Sequence, residues 1–150
     1  MADTMTAPDA ISYLIETAQD GADGYRAASE DVKDAQLKQI FSQYATQRAQ
    51  FVTELRNLAS TAGGDADKGG SVSAAVHRGW INLKSVVTGR DDASILAECE
   101  RGDENAVKAY DQAGAAPLPA QAATVVQRQA AEVRQAYERI KSLHTSRSAD

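Results

Sequence analysis

Apolar and small residues recur along this chain every three or four positions, the period of one helix face. Ile11, Leu14, Ile15, Ala18, Ala22, Tyr25 and Val32 form the first stripe and predict a helix over residues 9–32. Leu37, Ile40, Phe41, Tyr44, Arg48, Phe51, Val52, Leu55 and Leu58 predict a second, running from a cap at Asp34 to Ala62. A shorter stripe lies in Ser71–Thr88, with Val72, Val76, Trp80, Leu83 and Val87 on one side. The next runs from Asp91 or Asp92 to Ala113 and includes Ile95, Leu96, Cys99, Gly102, Asp103, Ala106 and Tyr110. The last follows the APLP linker to Leu143 and includes Ala122, Val126, Gln129, Val133, Ala136, Tyr137 and Ile140. Nothing alternates with the period of a strand, and no segment repeats.

The stops and starts agree with this reading. Thr6 or Asp9 can cap the first helix, and Pro8 suits a first turn. The run GGDADKGG has turn chemistry, Ser71 can cap the short helix, and Gly89 can close it. A residue before proline resists the α conformation, so APLP ends one helix before the next begins. Residues 1–8 read as a tail, 9–146 as one domain and 147–150 as a frayed end. The stretch HTSRSAD beyond Leu143 carries no stripe and is expected to fray.

Short links make the first two long helices antiparallel, and likewise the last two. Residues 63–90 then join the pairs. The helix expected at 71–88 would span about 27 Å at 1.5 Å per residue, close to the length of a bundle. A tight turn needs no such segment, whereas a return crossover does. The expected fold is all-α: a ferritin-like four-helix bundle with an extra helix in the crossover. A five-helix up-and-down array is the alternative.

The run HRGWINLKSVVTGRDDASILAECERGD, His77 to Asp103, is similar to an uncharacterised, mainly proteobacterial ferritin-like four-helix-bundle family of unknown function. LIETAQDGADGYRAASEDV, YATQRAQFVTEL and RQAAEVRQAY carry the resemblance through the rest of the chain. It implies a ferritin-like bundle and membership among stress-associated bacterial proteins, and it implies no particular activity.

Composition narrows the partners. The chain is 43% hydrophobic and only 5% aromatic, a balance that suits helices packed through small side chains. Net charge is −5 with both signs interspersed, so neither nucleic acid nor an anionic membrane is an expected partner. A single cysteine, Cys99, permits no disulfide within the chain, and the N-terminus lacks the pattern of a signal peptide. No apolar run approaches the ~20 residues of a membrane span. A cytoplasmic protein is expected.

Ferritin-like folds raise the question of iron. A di-iron site needs inward carboxylates from facing helices and histidines one turn beyond two of them. No Glu-x-x-His occurs in the sequence. Glu16, Asp20 and Asp23 fall off the apolar face of the first helix. Glu54, Glu98, Glu100 and Glu132 lie on the borders of their faces and are the only set that helix rotation could turn inward. The inward polar residues are instead Arg48, Asp103 and Gln129, joined by the hydroxyls of Tyr25, Tyr44, Tyr110 and Tyr137. A buried cation needs a partner. An interior network built on Arg48 and Asp103, with Gln129 or a tyrosine completing it, is therefore expected; its cation would repel a divalent metal in the same layer, and no cofactor is expected.

Three functional readings follow. The first is a non-enzymatic interaction or structural bundle that forms a homo-oligomer such as a dimer, with His77, Arg78 and Trp80 as a recognition patch for a protein partner. The second is a degenerate di-iron protein that binds or oxidises iron through the four glutamates. The third is a bundle holding a small apolar ligand beside Gly21, Gly24, Cys99 and Gly102. Cys99 itself falls on a buried face and reads as a core residue rather than a nucleophile.

Overall fold

A computed structural model describes residues 5–62 and 91–148. They form four long helices: α1 (Ala7–Asp31), α2 (Ala35–Ala62), α3 (Asp92–Gly114) and α4 (Ala120–Ser148). No strand occurs among the described residues. The short helix expected at 71–88, with His77, Arg78 and Trp80, lies outside them.

Side chains near the starts of α1, α2 and α3 supply acceptors for the first free N–H groups. Thr6 Oγ1 accepts from the Asp9 N–H at 3.2 Å, with Pro8 in the first turn. Asp34 Oδ1 accepts from Gln36 and Leu37 N–H at 2.8 and 3.1 Å. Asp91 Oδ1 accepts from Ser94 N–H at 2.8 Å. The α1 helix stops where Val32 turns extended, its N–H still bonded to the Ala28 carbonyl.

The α4 helix continues past Leu143 to Ser148, so His144 to Ser148 of the stretch expected to fray are helical. Its anchors are polar. His144 Nδ1 lies 2.7 Å from Glu100 Oε1 on α3, and Arg147 donates to Asp34 Oδ2 at 2.6 Å. An apolar period cannot register such anchors.

One end of the bundle is tied by the Asp92 carboxylate, which accepts the Lys33 N–H at 2.9 Å and the Asp34 N–H at 3.0 Å. The α3 helix therefore starts beside the α1–α2 turn, and Arg147 brings the end of α4 to the same place. It follows that α2 and α3 run in the same direction. The fold is an all-α four-helix bundle. Its α1 helix packs closely on α2 and α3, α4 packs on α3, and α2 and α4 meet more loosely. In cross-section, α1 and α3 occupy one side and α2 and α4 the opposite side.

The interior divides into two apolar clusters. Ile11, Leu14, Ala18, Phe51, Leu55, Ala106 and Val133 belong to the one around the α1 N-terminus. Tyr25, Leu37, Phe41, Ile95, Cys99 and Ile140 belong to the one at the tied end. Between Ala18 and Tyr25 on α1 stands Gly21. Between Phe41 and Phe51 on α2 stands Arg48, and between Cys99 and Ala106 on α3 stands Asp103. The break in the apolar core is the level of these three residues.

Asp20 departs from its expected outward position: it is 1% exposed, with Ser12 and Thr17 also buried. The buried arc of α1 is thus wider than the stripe its apolar residues mark. Small and polar residues fill the added width.

Candidate functional site

At the break in the core, Arg48 is 1% exposed and Asp103 is 0% exposed. Arg48 Nη1 donates to Asp103 Oδ1 at 2.7 Å, and Nη2 donates to Oδ2 at 3.2 Å. This is the two-pronged geometry in which a guanidinium binds a carboxylate best. The Tyr25 hydroxyl donates to the same Oδ2 at 2.5 Å. Arg48 Nε donates to Gln47 Oε1 at 3.1 Å, and the guanidinium carbon lies 5.3 Å from the centre of the Tyr25 ring. Tyr44 packs against that ring at 5.3 Å and Phe41 at 5.8 Å.

Gly21 makes room for this arrangement. A Cβ there would stand 3.1 Å from Arg48 Nη1 and 3.4 Å from its Cγ. The small-residue stretch considered for a ligand is thus filled at Gly21 by the arginine side chain.

The electrostatics follow from burial and pairing. Burial works against the Arg48 charge, and the attraction of Asp103 more than offsets it, so the guanidinium holds its proton more tightly than usual. Burial pushes the Tyr25 hydroxyl well above its ordinary range, and the Asp103 charge adds to the effect. Burial also pushes the Cys99 thiol well up, with Asp103 again contributing, which makes it a poor nucleophile.

Gln129 does not join this group. It is buried on α4 at the level of Tyr110 and Glu54, six residues or about 9 Å along α2 from Arg48. Tyr110 donates to Gln129 Oε1 at 2.6 Å, and Gln129 Nε2 donates to Glu54 Oε1 at 2.8 Å. Arg128 then donates to Glu54 Oε2 at 2.7 Å and to Glu132 Oε2 at 3.3 Å. This second network runs from the core to the surface. Burial opposes the Glu54 charge, but the hydrogen bonds from Arg128 and Gln129 outweigh it and hold the carboxyl below its usual range. Burial raises the Tyr110 hydroxyl. Tyr137 belongs to neither network: it is half-buried, with Lys141 Nζ 5.9 Å from its ring centre.

The four candidate glutamates do not converge. Glu54 and Glu132 share Arg128. Glu98 pairs with Arg101 at 2.6 Å, and Glu100 meets His144. Among the described residues no group of three or more His, Cys, Asp and Glu is placed to hold a metal ion. Both oxygens of Asp103 are held by a cation that would repel a divalent ion. These donors do not fit a di-iron centre.

Sequence periodicity did not single out Gln47, which completes the Arg48 contacts, or the His144–Glu100 and Arg147–Asp34 pairs. The first follows a local side-chain choice, and the other two depend on where α4 ends against its neighbours.

The fold and its interior define an all-α four-helix bundle with a buried, hydrogen-bonded ion pair at its middle. The chain belongs to the family described as Domain of unknown function (DUF2383), whose model matches residues 6–115, from the cap of α1 to just past the end of α3. No curated protein matches the chain. No helix among the described residues is long and apolar enough to cross a membrane.

Proposed function

We propose that this protein is a non-enzymatic, ferritin-like bundle that works by association, as a self-assembling structural or interaction protein of the stress-associated bacterial kind. In this reading it resides in the cytoplasm and needs no cofactor. The Arg48–Asp103–Tyr25 group stands where a metal-binding bundle would gather its carboxylates, and its work is to hold the helices in register. One observation carries the proposal: both oxygens of Asp103 are committed to Arg48 and Tyr25 in a buried layer.

The competing reading is iron binding through Glu54 and Glu132, which approach one another through Arg128. The test is the metal content of untagged protein purified without chelator, with an anaerobic ferrous-iron titration. The expected result is no bound iron and no saturable ferrous uptake. Near-stoichiometric iron that is lost in Glu54→Ala and Glu132→Ala would overturn the proposal.

A further inference from the structure

Charge is sorted between the two sides of this bundle. Six acidic residues face one arginine on α1, and six face two bases on α3. On α2 three bases face one acid, and on α4 five face two. Arg48 and Asp103 cancel one another inside. Asp20 is buried as well. Among the described residues, what remains is an acidic side, α1 with α3, and a basic side, α2 with α4, in a chain of net charge −5. Part of the excess is neutralised along the edges, as by Arg134 and Asp111 at 3.4 Å. Arg56 and Arg139 on the basic side make no ion pair among the described residues, nor do Glu30 and Glu104 on the acidic side, and all four are exposed.

The exposed face of α2 adds a second observation. Gln39, Ser42, Gln43, Thr46, Gln50 and Thr53 follow one another along it, all exposed and all uncharged, with Lys38 and Arg56 beyond its two ends. Such a strip can be covered without stripping water from a charge. The strip shares with the core of a protein–protein interface its depletion of charge, although it is polar rather than apolar.

We infer that the α2–α4 side of one copy docks on the α1–α3 side of another. The occupant is a second copy because the same chain supplies both complementary surfaces. This inference rests on the self-association proposed above and assigns it a surface. The contact joins two different faces, so each copy keeps one free face of each kind. Assembly then closes into a ring or grows as a filament, rather than stopping at a two-fold dimer.

The experiment is analytical ultracentrifugation of the full chain at about 0.01 M and about 1 M salt, where the Debye length falls from about 30 to about 3 Å. Mass that rises with protein concentration at low salt and falls at high salt is expected. Two variants separate the faces. Arg56→Glu/Arg139→Glu reverses the basic side, and Glu30→Lys/Glu104→Lys the acidic side. All four positions are exposed, so circular dichroism should show both variants folded. Each variant alone should associate about tenfold more weakly. An equimolar mixture should associate again, because the native acidic side of one variant meets the native basic side of the other, and the two reversed sides also carry opposite charge. Association that withstands salt and both variants, or variants whose mixture stays monomeric, overturns the assigned surface and leaves self-association standing. A parent protein that is monomeric throughout overturns both.

Discussion

The Arg48–Asp103 pair lends itself to a double-mutant cycle. Asp103→Ala leaves a guanidinium in a layer with 1% exposure, and stranding one partner of a buried pair costs about 3–5 kcal/mol. It also removes the acceptor of the Tyr25 hydroxyl, adding about 1–3 kcal/mol. Arg48→Leu strands the carboxylate for about 3–5 kcal/mol, although Tyr25 still donates to it. The double variant buries no charge and leaves chiefly the Tyr25 hydroxyl unmatched, at about 1–3 kcal/mol. The single losses thus sum to at least ~7 kcal/mol against at most ~3 for the double, a coupling of at least ~4 kcal/mol. Urea unfolding followed by far-ultraviolet circular dichroism measures all four corners. Because the pair is buried, the coupling should persist in high salt, unlike that of a surface pair. Single losses that add to the double loss within about 0.5 kcal/mol, or an Arg48→Leu cost below about 1 kcal/mol, would refute the reasoning.

Two further outcomes follow from the same layer. Gly21→Ala should gain about 1 kcal/mol of helix propensity, yet its methyl would meet the nitrogen that binds Asp103. Thermal unfolding should shift down by about 2–4 °C, and a rise would show that the guanidinium yields freely. The buried hydroxyls of Tyr25 and Tyr110 and the Cys99 thiol, all raised by burial, hold protons that the unfolded chain releases near pH 10 for tyrosine and about 8.5 for cysteine. Their contribution to stability is therefore intact below those values and lost as pH rises beyond them. Ultraviolet titration should find these two tyrosines silent, and Cys99 closed to thiol reagents, until the protein unfolds; all five tyrosines ionising together near pH 10 in folded protein would contradict this.

Much of the architecture is legible in the sequence because helix period and cap chemistry are local. Thr6, Asp34 and Asp91 stand before apolar stripes and cap the helices that follow. Arg48 and Asp103 fall on buried faces at the positions the period assigns them. Period fixes the direction of a side chain around its helix but not its level along a neighbour. Gln129 shows the difference: its direction is inward, yet α4 is set so that it meets Tyr110 and Glu54 rather than Arg48. Asp20 fails for another reason: it is a buried polar position, and an apolar stripe marks only part of a helix's buried arc. The end of α4 was illegible because Glu100 and Asp34, which hold it, lie 44 and 113 residues away in sequence.

The ion pair also has a consequence for assembly in time. A short turn joins α1 to α2, and another joins α3 to α4, so each hairpin closes over few residues. Arg48 and Asp103 lie 55 residues apart, one in each hairpin. Long loops close later and more slowly than short ones, so the pair forms when the hairpins meet. Until then each hairpin carries a hydrated charge in the middle of its apolar face. That charge resists drying against any surface that lacks its counterpart, including a second, identical hairpin. The pair thereby protects the half-assembled chain from the sticky intermediates that helical hairpins otherwise present, and it makes their union close to all-or-none.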